Sequence, residues 1–177
     1  MKKLPTALCV LIAVVLVAFG LLFGTWSGYR EDRAQVEALV TMENGLMDVL
    51  AYRAADGLNL CAVAKRHLPA DSAEMQTLEQ TARQLQQATN FRPQLDAELV
   101  RAAEAVSAKL AEMESFQQSQ RDQRYLEMLR ADMSSLRGSE IVSAYNQAAE
   151  AFNHQLDEPL TGDLAMLLGI ERCPLYQ

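Results

Sequence analysis

The stretch LPTALCVLIAVVLVAFGLLFGTWSGY, residues 4–29, decides the fold because it is almost wholly apolar and contains no charged side chain. At 1.5 Å of helical rise per residue it covers the ~30 Å hydrocarbon core of a bilayer. Trp26 and Tyr29 follow at its far end, where amphipathic aromatic rings favour the headgroup level. We therefore predict a transmembrane helix within residues 1–29, with residues 4–26 in contact with lipid.

Two other interpretations of this segment remain open. A cleaved signal peptide also begins with basic residues such as Lys2 and Lys3, but its apolar region normally runs for only ~7 to 15 residues. The apolar run here is longer, although Ala18-Phe19-Gly20 and Thr25-Trp26-Ser27 offer cleavage candidates. A lipoprotein interpretation of Cys9 has less support, because few apolar residues precede it. We expect an uncleaved signal anchor.

The orientation of the anchor follows from the basic residues near its two ends. Lys2, Lys3 and the amino terminus lie on one side, and Arg30 and Arg33 lie on the other. The small excess on the amino-terminal side favours a cytoplasmic amino terminus under the positive-inside rule. This predicts a single-pass protein of the bacterial cell (inner) membrane with a periplasmic body.

The body that follows is acidic. Without Lys2 and Lys3 it carries 14 basic against 23 acidic side chains, a net charge of −9. Such a body is repelled by phosphates, and no basic stripe or aromatic stacking platform offsets this, so nucleic acid is not an expected partner. Its two cysteines, Cys61 and Cys173, could bridge in an oxidising compartment, but the topology predicted below puts them at opposite ends.

The body is predicted to be all-α. Alanine, leucine, glutamate, glutamine and arginine dominate it, and no stretch alternates apolar with polar residues as a strand would. Apolar residues instead recur at three- and four-residue spacing along four segments. They are Val36, Leu39, Leu46, Leu50, Leu60 and Val63 in the first segment; Met75, Leu78, Ala82, Leu85 and Ala88 in the second; Leu95, Leu99, Ala102, Val106, Leu110 and Met113 in the third; and Leu126, Leu129, Met133, Leu136, Ile141, Tyr145, Ala148, Phe152 and Leu156 in the fourth.

The first of these helices is predicted to continue the membrane span as far as about residue 66. Asn44 and Gly45 would signal a hairpin between strands, but among helix formers we expect them to stay helical at a cost of ~1 kcal/mol. Gly57 is a candidate kink. Pro69 ends the helix, because a residue that precedes proline disfavours the helical conformation.

The remaining boundaries come from caps and polar stretches. Asp71 followed by Glu74 resembles a capping box that opens the second helix, and Pro93 starts the third. A run of eight polar residues predicts a turn near Ser119, and Gly138 could break the last helix. Short connections between four amphipathic helices predict an elongated up-and-down four-helix bundle over residues 30–158, with coiled-coil-like packing.

A repeated pair in the last helix carries a resemblance to a known family. Tyr145-Asn146 recurs seven residues later as Phe152-Asn153, and Pro159 then precedes an apolar segment that ends in Gly169-Ile170. This order resembles the LemA family. Arg53, Asp56 and Asn59-Leu60 are similar to a basic, Asp- and Asn-containing stretch in the first helix of that family, although Leu58 stands where it has proline and Phe152 where it has tyrosine. The resemblance implies one amino-terminal transmembrane helix and a four-helix bundle, in a family whose molecular function is not established.

The repeat itself is expected to be structural. Residues seven apart lie two turns apart on one helix face, so we expect Tyr145 and Phe152 to be core anchors and Asn146 and Asn153 to bond the neighbouring helix. The apolar tail, residues 159–177, is too short to span a bilayer. It could dock on the bundle, on a partner or on the membrane surface near Trp26, and docking on the bundle is favoured.

No catalytic, cofactor-binding or metal-binding residue is predicted. His67 and His154 are the only histidines, and neither follows a glutamate by three residues as a di-iron bundle site requires. Glu150 and His154 lie one turn apart, but a solvated pair on a helix face is the more common occurrence. No serine or cysteine lies in a nucleophile signature, and no glycine loop could cradle a phosphate. The charged pair Arg121-Asp122 is expected to be solvated surface.

Two classes of function fit these observations. The first is a non-enzymatic scaffold, assembly or partner-binding protein that contacts an unidentified membrane or envelope protein, or further copies of itself as a homo-oligomer. The second is a sensor that binds a small ligand between its helices and signals through a separate membrane partner. The first is favoured, since a sensor is normally joined to a cytoplasmic signalling region and only three residues precede the apolar run.

Overall fold

The computed structural model describes residues 6–135 and 139–176, with side chains from Leu8 onward, and every regular element in them is a helix. This confirms the all-α prediction. The helices are α1 (Thr6–Thr41), α2 (Leu46–Ala64), α3 (Ala73–Gln86), α4 (Pro93–Glu112), α5 (Glu114–Gln117), α6 (Gln120–Ser135), α7 (Glu140–Gln155) and α8 (Thr161–Leu167).

Helix α1 is long and apolar enough to cross a membrane, and among the described helices it alone has this property. None of its most apolar 18 residues is buried inside the protein. Leucine, valine and phenylalanine side chains there are instead exposed on all sides of the helix. The protein itself therefore supplies no cover for this surface.

The chain divides into two compact units. The first unit contains the described residues up to Ala38 together with Gln147–Cys173, and the second contains the described residues of Leu39–Asn146 and those from Pro174 onward. The first unit thus holds most of α1, the end of α7 and α8, whereas the second holds α2 to α6.

In the second unit α2 packs against α3, α4 and α6, and α3 packs against α4. The core comes from the predicted apolar positions: Leu50, Leu60, Leu78, Leu99, Val106, Leu110 and Leu129 are all 0–1% exposed. Gly57 remains helical and marks a close approach, because a Cβ atom there would lie 2.8 Å from Leu99 Cδ1 and 3.2 Å from Ala82 Cβ. The candidate kink is therefore a packing position.

The prediction that Asn44 and Gly45 stay helical is wrong. Helix α1 ends at Thr41, and Asn44 adopts a left-handed backbone with φ of 58°. Asparagine tolerates this conformation better than most residues, and here its N–H donates to Asp48 Oδ2 at 2.8 Å. A Cβ atom at Gly45 would lie 2.6 Å from the Met42 carbonyl oxygen, so the turn selects glycine. The two turn residues outweigh the helix formers around them.

The other boundaries lie close to those predicted. Ser72 caps α3, one residue after the predicted Asp71, because its hydroxyl accepts from the Met75 N–H at 3.4 Å and donates to Glu74 at 2.9 Å. Pro93 is the first residue of α4, as predicted. The turn near Ser119 is confirmed, since α5 and α6 end and begin on either side of it. Gly138 and Leu136 lie outside the described residues.

In the first unit, Phe152 is the central aromatic residue. It is 2% exposed and lies edge-on to Tyr29, with the ring centroids 6.5 Å apart. Leu156, Ala165 and Ile170 are also buried in this unit. Tyr145 is 2% exposed in the second unit, so both aromatic residues of the repeat are core residues, as predicted.

We predict that Phe152→Ala strongly destabilises the protein. Truncation of a buried aromatic ring costs ~3 to 5 kcal/mol, a large part of the ~5 to 15 kcal/mol that stabilises a domain. The measurement is the melting temperature of the full chain in detergent. Glu112→Ala is the control and should change little, because the Glu112 side chain is 68% exposed. A Phe152→Ala protein that melts with the parent but fails to bind a membrane partner would make Phe152 an interaction residue.

Candidate functional site

Asn153 and Asn146 of α7 bind the main chain of the tail. The Asn153 amide donates to the Cys173 carbonyl oxygen at 2.8 Å, and its Oδ1 accepts from the Cys173 N–H at 2.8 Å. Asn146 makes the same two bonds with Tyr176, each at 2.8 Å. Each side-chain amide thereby bonds the N–H and the carbonyl oxygen of one extended residue, as a neighbouring strand would, and satisfies a donor and an acceptor that a loop would otherwise leave open.

The seven-residue repeat has a geometric reason. Seven residues of helix cover ~10.5 Å, and three residues of extended chain cover ~10 Å. Asparagines seven apart on a helix are thus spaced to bind tail residues three apart, such as Cys173 and Tyr176. The prediction that these amides bond a neighbouring helix is wrong, because their partner is the extended tail. A helical pattern in the sequence does not show which distant segment a polar side chain meets.

The tail carries a tyrosine into a buried charged cluster. Arg53 of α2 and Asp96 of α4 are each 1% exposed and form an ion pair at 2.9 Å. The Tyr176 hydroxyl donates to Asp96 Oδ2 at 2.7 Å and accepts from Arg53 Nη1. The Phe91 ring stacks on Tyr176 with centroids 6.2 Å apart. We call Arg53, Asp96 and Tyr176 the Tyr176 cluster.

The Tyr176 cluster is held together by the cost of isolating its members. A buried ion pair gains little over apolar packing, but removal of one partner leaves an uncompensated charge and typically costs ~3 to 5 kcal/mol. Burial, and then the negative charge of Asp96, raises the pKa of Tyr176 well above its usual range. The phenol therefore stays neutral, and its hydroxyl donates a hydrogen bond to Asp96. The end of the tail gives each member of a core ion pair a further hydrogen-bond partner.

A cavity of about 220 Å³ lies beside this cluster. Its lining includes Arg53, Glu104, Ser107, Arg130, Met133 and Ser134. Arg53 Nε is buried and has no hydrogen-bond acceptor among the described residues. An arginine N–H in this position, with a second arginine and hydroxyl groups nearby, suits a small molecule that carries a carboxylate or carbonyl oxygen.

A second polar row lies near the end of α2. The Ser115 hydroxyl is 3.0 Å from His67 Nδ1, and His67 Nε2 is 2.8 Å from Asp122 Oδ2. Arg66 pairs with the other oxygen of Asp122. The hydrogen bond from His67 holds the pKa of Asp122 below its usual range. Asp122 is 5% exposed, so its prediction as solvated surface is wrong.

Ser115, His67 and Asp122, which we call the His67 row, have the order of a nucleophile, a base and an acid, but their contacts favour a structural role. Asp122 is shared between His67 and Arg66, and the His67 ring lies edge-on to Phe116 at 5.4 Å. These contacts join the end of α2 to α5 and α6. The row could not be predicted from the sequence, because the residues that bond to each other in it lie 48 to 56 positions apart along the chain.

An open groove of about 760 Å³ lies beside this row, between α2 and α6. Three arginines line it, together with an exposed tyrosine and methionine: Arg66, Arg121, Arg124, Tyr125 and Met128. Tyr125 is 37% exposed and Met128 is 47% exposed. We call this surface the arginine groove. Asp122 also lines it and is paired with Arg66, so Arg121 and Arg124 make it a basic surface on a body of net charge −9.

The candidate metal ligands lie on the surface, whereas two of the thiols are buried. Glu150 and His154 are both exposed on α7. In the described part of the chain no three histidine, cysteine, aspartate or glutamate side chains come together as a metal site would need. Cys61 and Cys173 are free and buried. Burial raises the pKa of Cys61 to about 11 and also raises that of Cys173, so both thiols are weak nucleophiles at neutral pH.

Comparisons of the chain with protein-family models, with curated proteins and with solved structures gave no match. Four of the residues quoted for the LemA resemblance contact the tail. Arg53, Asn146 and Tyr145 all contact the tail, the last through a hydrogen bond from its hydroxyl to the Pro174 carbonyl oxygen at 2.7 Å. Asn153 contacts it at Cys173. The chain is an all-helical protein in which these residues bind one extended segment.

We predict that Tyr176→Phe lowers stability and weakens its dependence on alkaline pH. Loss of the hydroxyl removes its bonds to Asp96 and Arg53, at a cost of ~1 to 3 kcal/mol. In the parent, the folded pKa of Tyr176 exceeds that of the unfolded chain, about 10, so its contribution is complete below that pH and is lost above it.

The measurement is urea unfolding of the full chain in detergent between about pH 8 and pH 11. Tyr52→Phe is the matched control, because Tyr52 is 64% exposed. Tyr176→Phe should start lower and decline less steeply than the parent and the control. Parallel pH profiles for Tyr176→Phe and the parent would contradict the assigned role.

Proposed function

We propose that this protein is a membrane-anchored helical protein of the LemA type, which binds a protein partner at the bacterial cell envelope and catalyses no reaction. The observation that carries the partner-binding role is the arginine groove. The proposal has three parts: an uncleaved single-pass anchor, an up-and-down four-helix body and a basic surface for a partner.

The anchor is supported by the exposure of α1. An apolar surface of this size is unfavourable in water, at ~25 cal/mol per Å², and none of its most apolar 18 residues is covered by the protein. A bilayer supplies the missing apolar environment. Trp26 lies at the end of this surface with the Arg30 guanidinium 4.9 Å from its ring centroid, an arrangement suited to the headgroup level.

The LemA assignment is supported by the repeat. Tyr145-Asn146 and Phe152-Asn153 supply two core rings and two amides that bind the tail. All four side chains of the repeat have a structural role, so the motif needs no catalytic explanation. The packing of α2 against α3, α4 and α6 is compatible with a helical bundle.

The arginine groove has the composition of a binding surface. Tyrosine, arginine and methionine are enriched where proteins bind one another, and tyrosine and arginine carry much of the binding energy. Arg121 and Arg124 are exposed, whereas the body as a whole repels acidic partners. This contrast favours a partner that presents an acidic surface with an apolar centre.

A second candidate function rests on the Arg53 cavity. A small carboxylate or carbonyl ligand bound to Arg53 between α4 and α6 would make the protein a sensor that signals through a membrane partner. The buried Arg53 Nε supports this candidate. The cavity is small, about 220 Å³, which restricts the ligand to a molecule of few atoms.

The body is proposed to be periplasmic, from the basic residues that flank α1, and Glu112→Cys tests this orientation. The thiols of Cys61 and Cys173 are buried, so the new exposed thiol should be the main target outside α1. A membrane-impermeant maleimide should label Glu112→Cys in intact spheroplasts, well above the parent. Labelling only after lysis would place the body in the cytoplasm.

A photoreactive residue at Met128 tests the groove. In native membranes it should form a discrete crosslink to a protein, and Arg124→Glu should weaken that crosslink about tenfold, which corresponds to ~1.4 kcal/mol. Arg101→Glu is the matched control, since Arg101 is exposed on α4 outside the groove. An equal loss of crosslink in Arg124→Glu and Arg101→Glu would indicate a general effect of charge. Undiminished crosslinking in Arg124→Glu would contradict a role for the groove.

A further inference from the structure

The first unit carries a compact patch of exposed apolar side chains around α8. Leu160 and Leu167 are each 82% exposed, Met166 is 40% exposed and Leu168 is 36% exposed. We call these four residues the tail patch. Soluble surfaces do carry single exposed apolar residues, but four within nine positions, three of them consecutive, exceed that pattern and call for a partner.

The tail patch belongs to an ordered element whose other face is packed. Ala165 and Ile170 are 0% and 7% exposed, so α8 buries one side and exposes the other. A Cβ atom at Gly162 would lie 2.2 Å from the Leu156 carbonyl oxygen, which fixes α8 against the end of α7. Leu160, with φ of 72° and ψ of −56°, is the central residue of a γ-turn in which the Thr161 N–H donates to the Pro159 carbonyl oxygen at 3.0 Å, a strained conformation that leucine rarely adopts. The fold thus keeps the exposed Leu160 in place at a conformational cost.

Hydrogen bonds join this element to the end of the membrane helix. The Tyr29 hydroxyl lies 3.0 Å from the Gln155 carbonyl oxygen and 3.3 Å from Thr161 Oγ1, the first residue of α8. Arg33 Nη1 donates to the Glu171 carbonyl oxygen at 3.3 Å. Tyr29 is less than one turn beyond Trp26, which is ~5 Å along α1. These hydrogen bonds place the tail patch beside the end of the apolar segment of α1.

We propose that the tail patch inserts into the interfacial region of the bilayer and forms a second membrane contact beside α1. The proposal rests on the membrane anchor proposed above. A patch of leucine and methionine at the headgroup boundary replaces water by acyl chains, as amphipathic interfacial helices do. The bilayer is the favoured occupant because Tyr29 and Arg33 hold α8 next to the anchor in the same unit.

The charges around the tail patch predict the lipid dependence of this contact. Asp163 is exposed within α8, Glu158 and Glu171 are exposed on either side of it, and Arg172 is paired with Asp157. Anionic headgroups therefore add no attraction. The contact is hydrophobic, and it forms on zwitterionic phosphatidylcholine.

Tryptophan fluorescence in lipid vesicles tests the proposal. The full chain, in a Trp26→Phe background, carries one tryptophan at Leu167, at Leu160, at Val15 in the apolar segment of α1, or at Met128 on the second unit. Each variant is reconstituted in phosphatidylcholine vesicles with and without lipid brominated near the headgroup end of the acyl chains. Leu167→Trp and Leu160→Trp should have blue-shifted emission and lose much of their fluorescence to bromine, whereas Met128→Trp should lose little.

The Val15→Trp variant separates the two proposals. It should be quenched by lipid brominated deep in the acyl chains. If it is quenched while Leu167→Trp and Leu160→Trp respond no more than Met128→Trp, the tail patch proposal is overturned and the anchor stands. Blue-shifted emission at Leu167→Trp without quenching would also overturn it, because another protein surface, such as a second copy of the chain, would then cover the patch. An unquenched Val15→Trp would overturn both proposals.

Discussion

The ion pair between Arg53 and Asp96 is the constraint on which the second unit depends. Two full charges, each 1% exposed, are tolerable in a helical core only if their hydrogen bonds are largely completed. The Tyr176 hydroxyl bonds to both and is itself kept neutral by burial. The requirement to complete this pair explains why an extended tail is brought into the core, where its peptide groups then need partners of their own.

Asparagine supplies those partners at both positions of the repeat. A side-chain amide can donate from its NH2 group and accept at its oxygen along one edge, so it can bond both the N–H and the carbonyl oxygen of one extended residue, as a neighbouring strand does. Asn146 and Asn153 do this for Tyr176 and Cys173. The neighbouring aromatic residues, Tyr145 and Phe152, meanwhile pack in the core. One repeated pair of residues thus combines packing with recognition of main chain.

The sequence predicted the helices and their buried faces well, because helical periodicity is a local signal. It predicted the boundaries less well at Asn44, where a left-handed residue ends α1, and at Ser72, which caps α3 in place of Asp71. The Tyr176 cluster was missed, although Arg53 and Asp96 both interrupt apolar stripes with charges of opposite sign. That interruption was a usable signal. The identity of the third member was not predictable, because no local pattern relates Tyr176 to residues 80 and 123 positions away.

These separations also bear on the order in which the protein forms. Contacts between distant segments close late, because the loop entropy must be overcome before the contact contributes. During synthesis at ~5 to 20 residues per second, Tyr176 emerges ~4 to 16 s after Asp96. During that interval Arg53 and Asp96 have been synthesised, but the tyrosine that bonds to both has not. The Tyr176 cluster of the second unit therefore forms only after the tail has been synthesised.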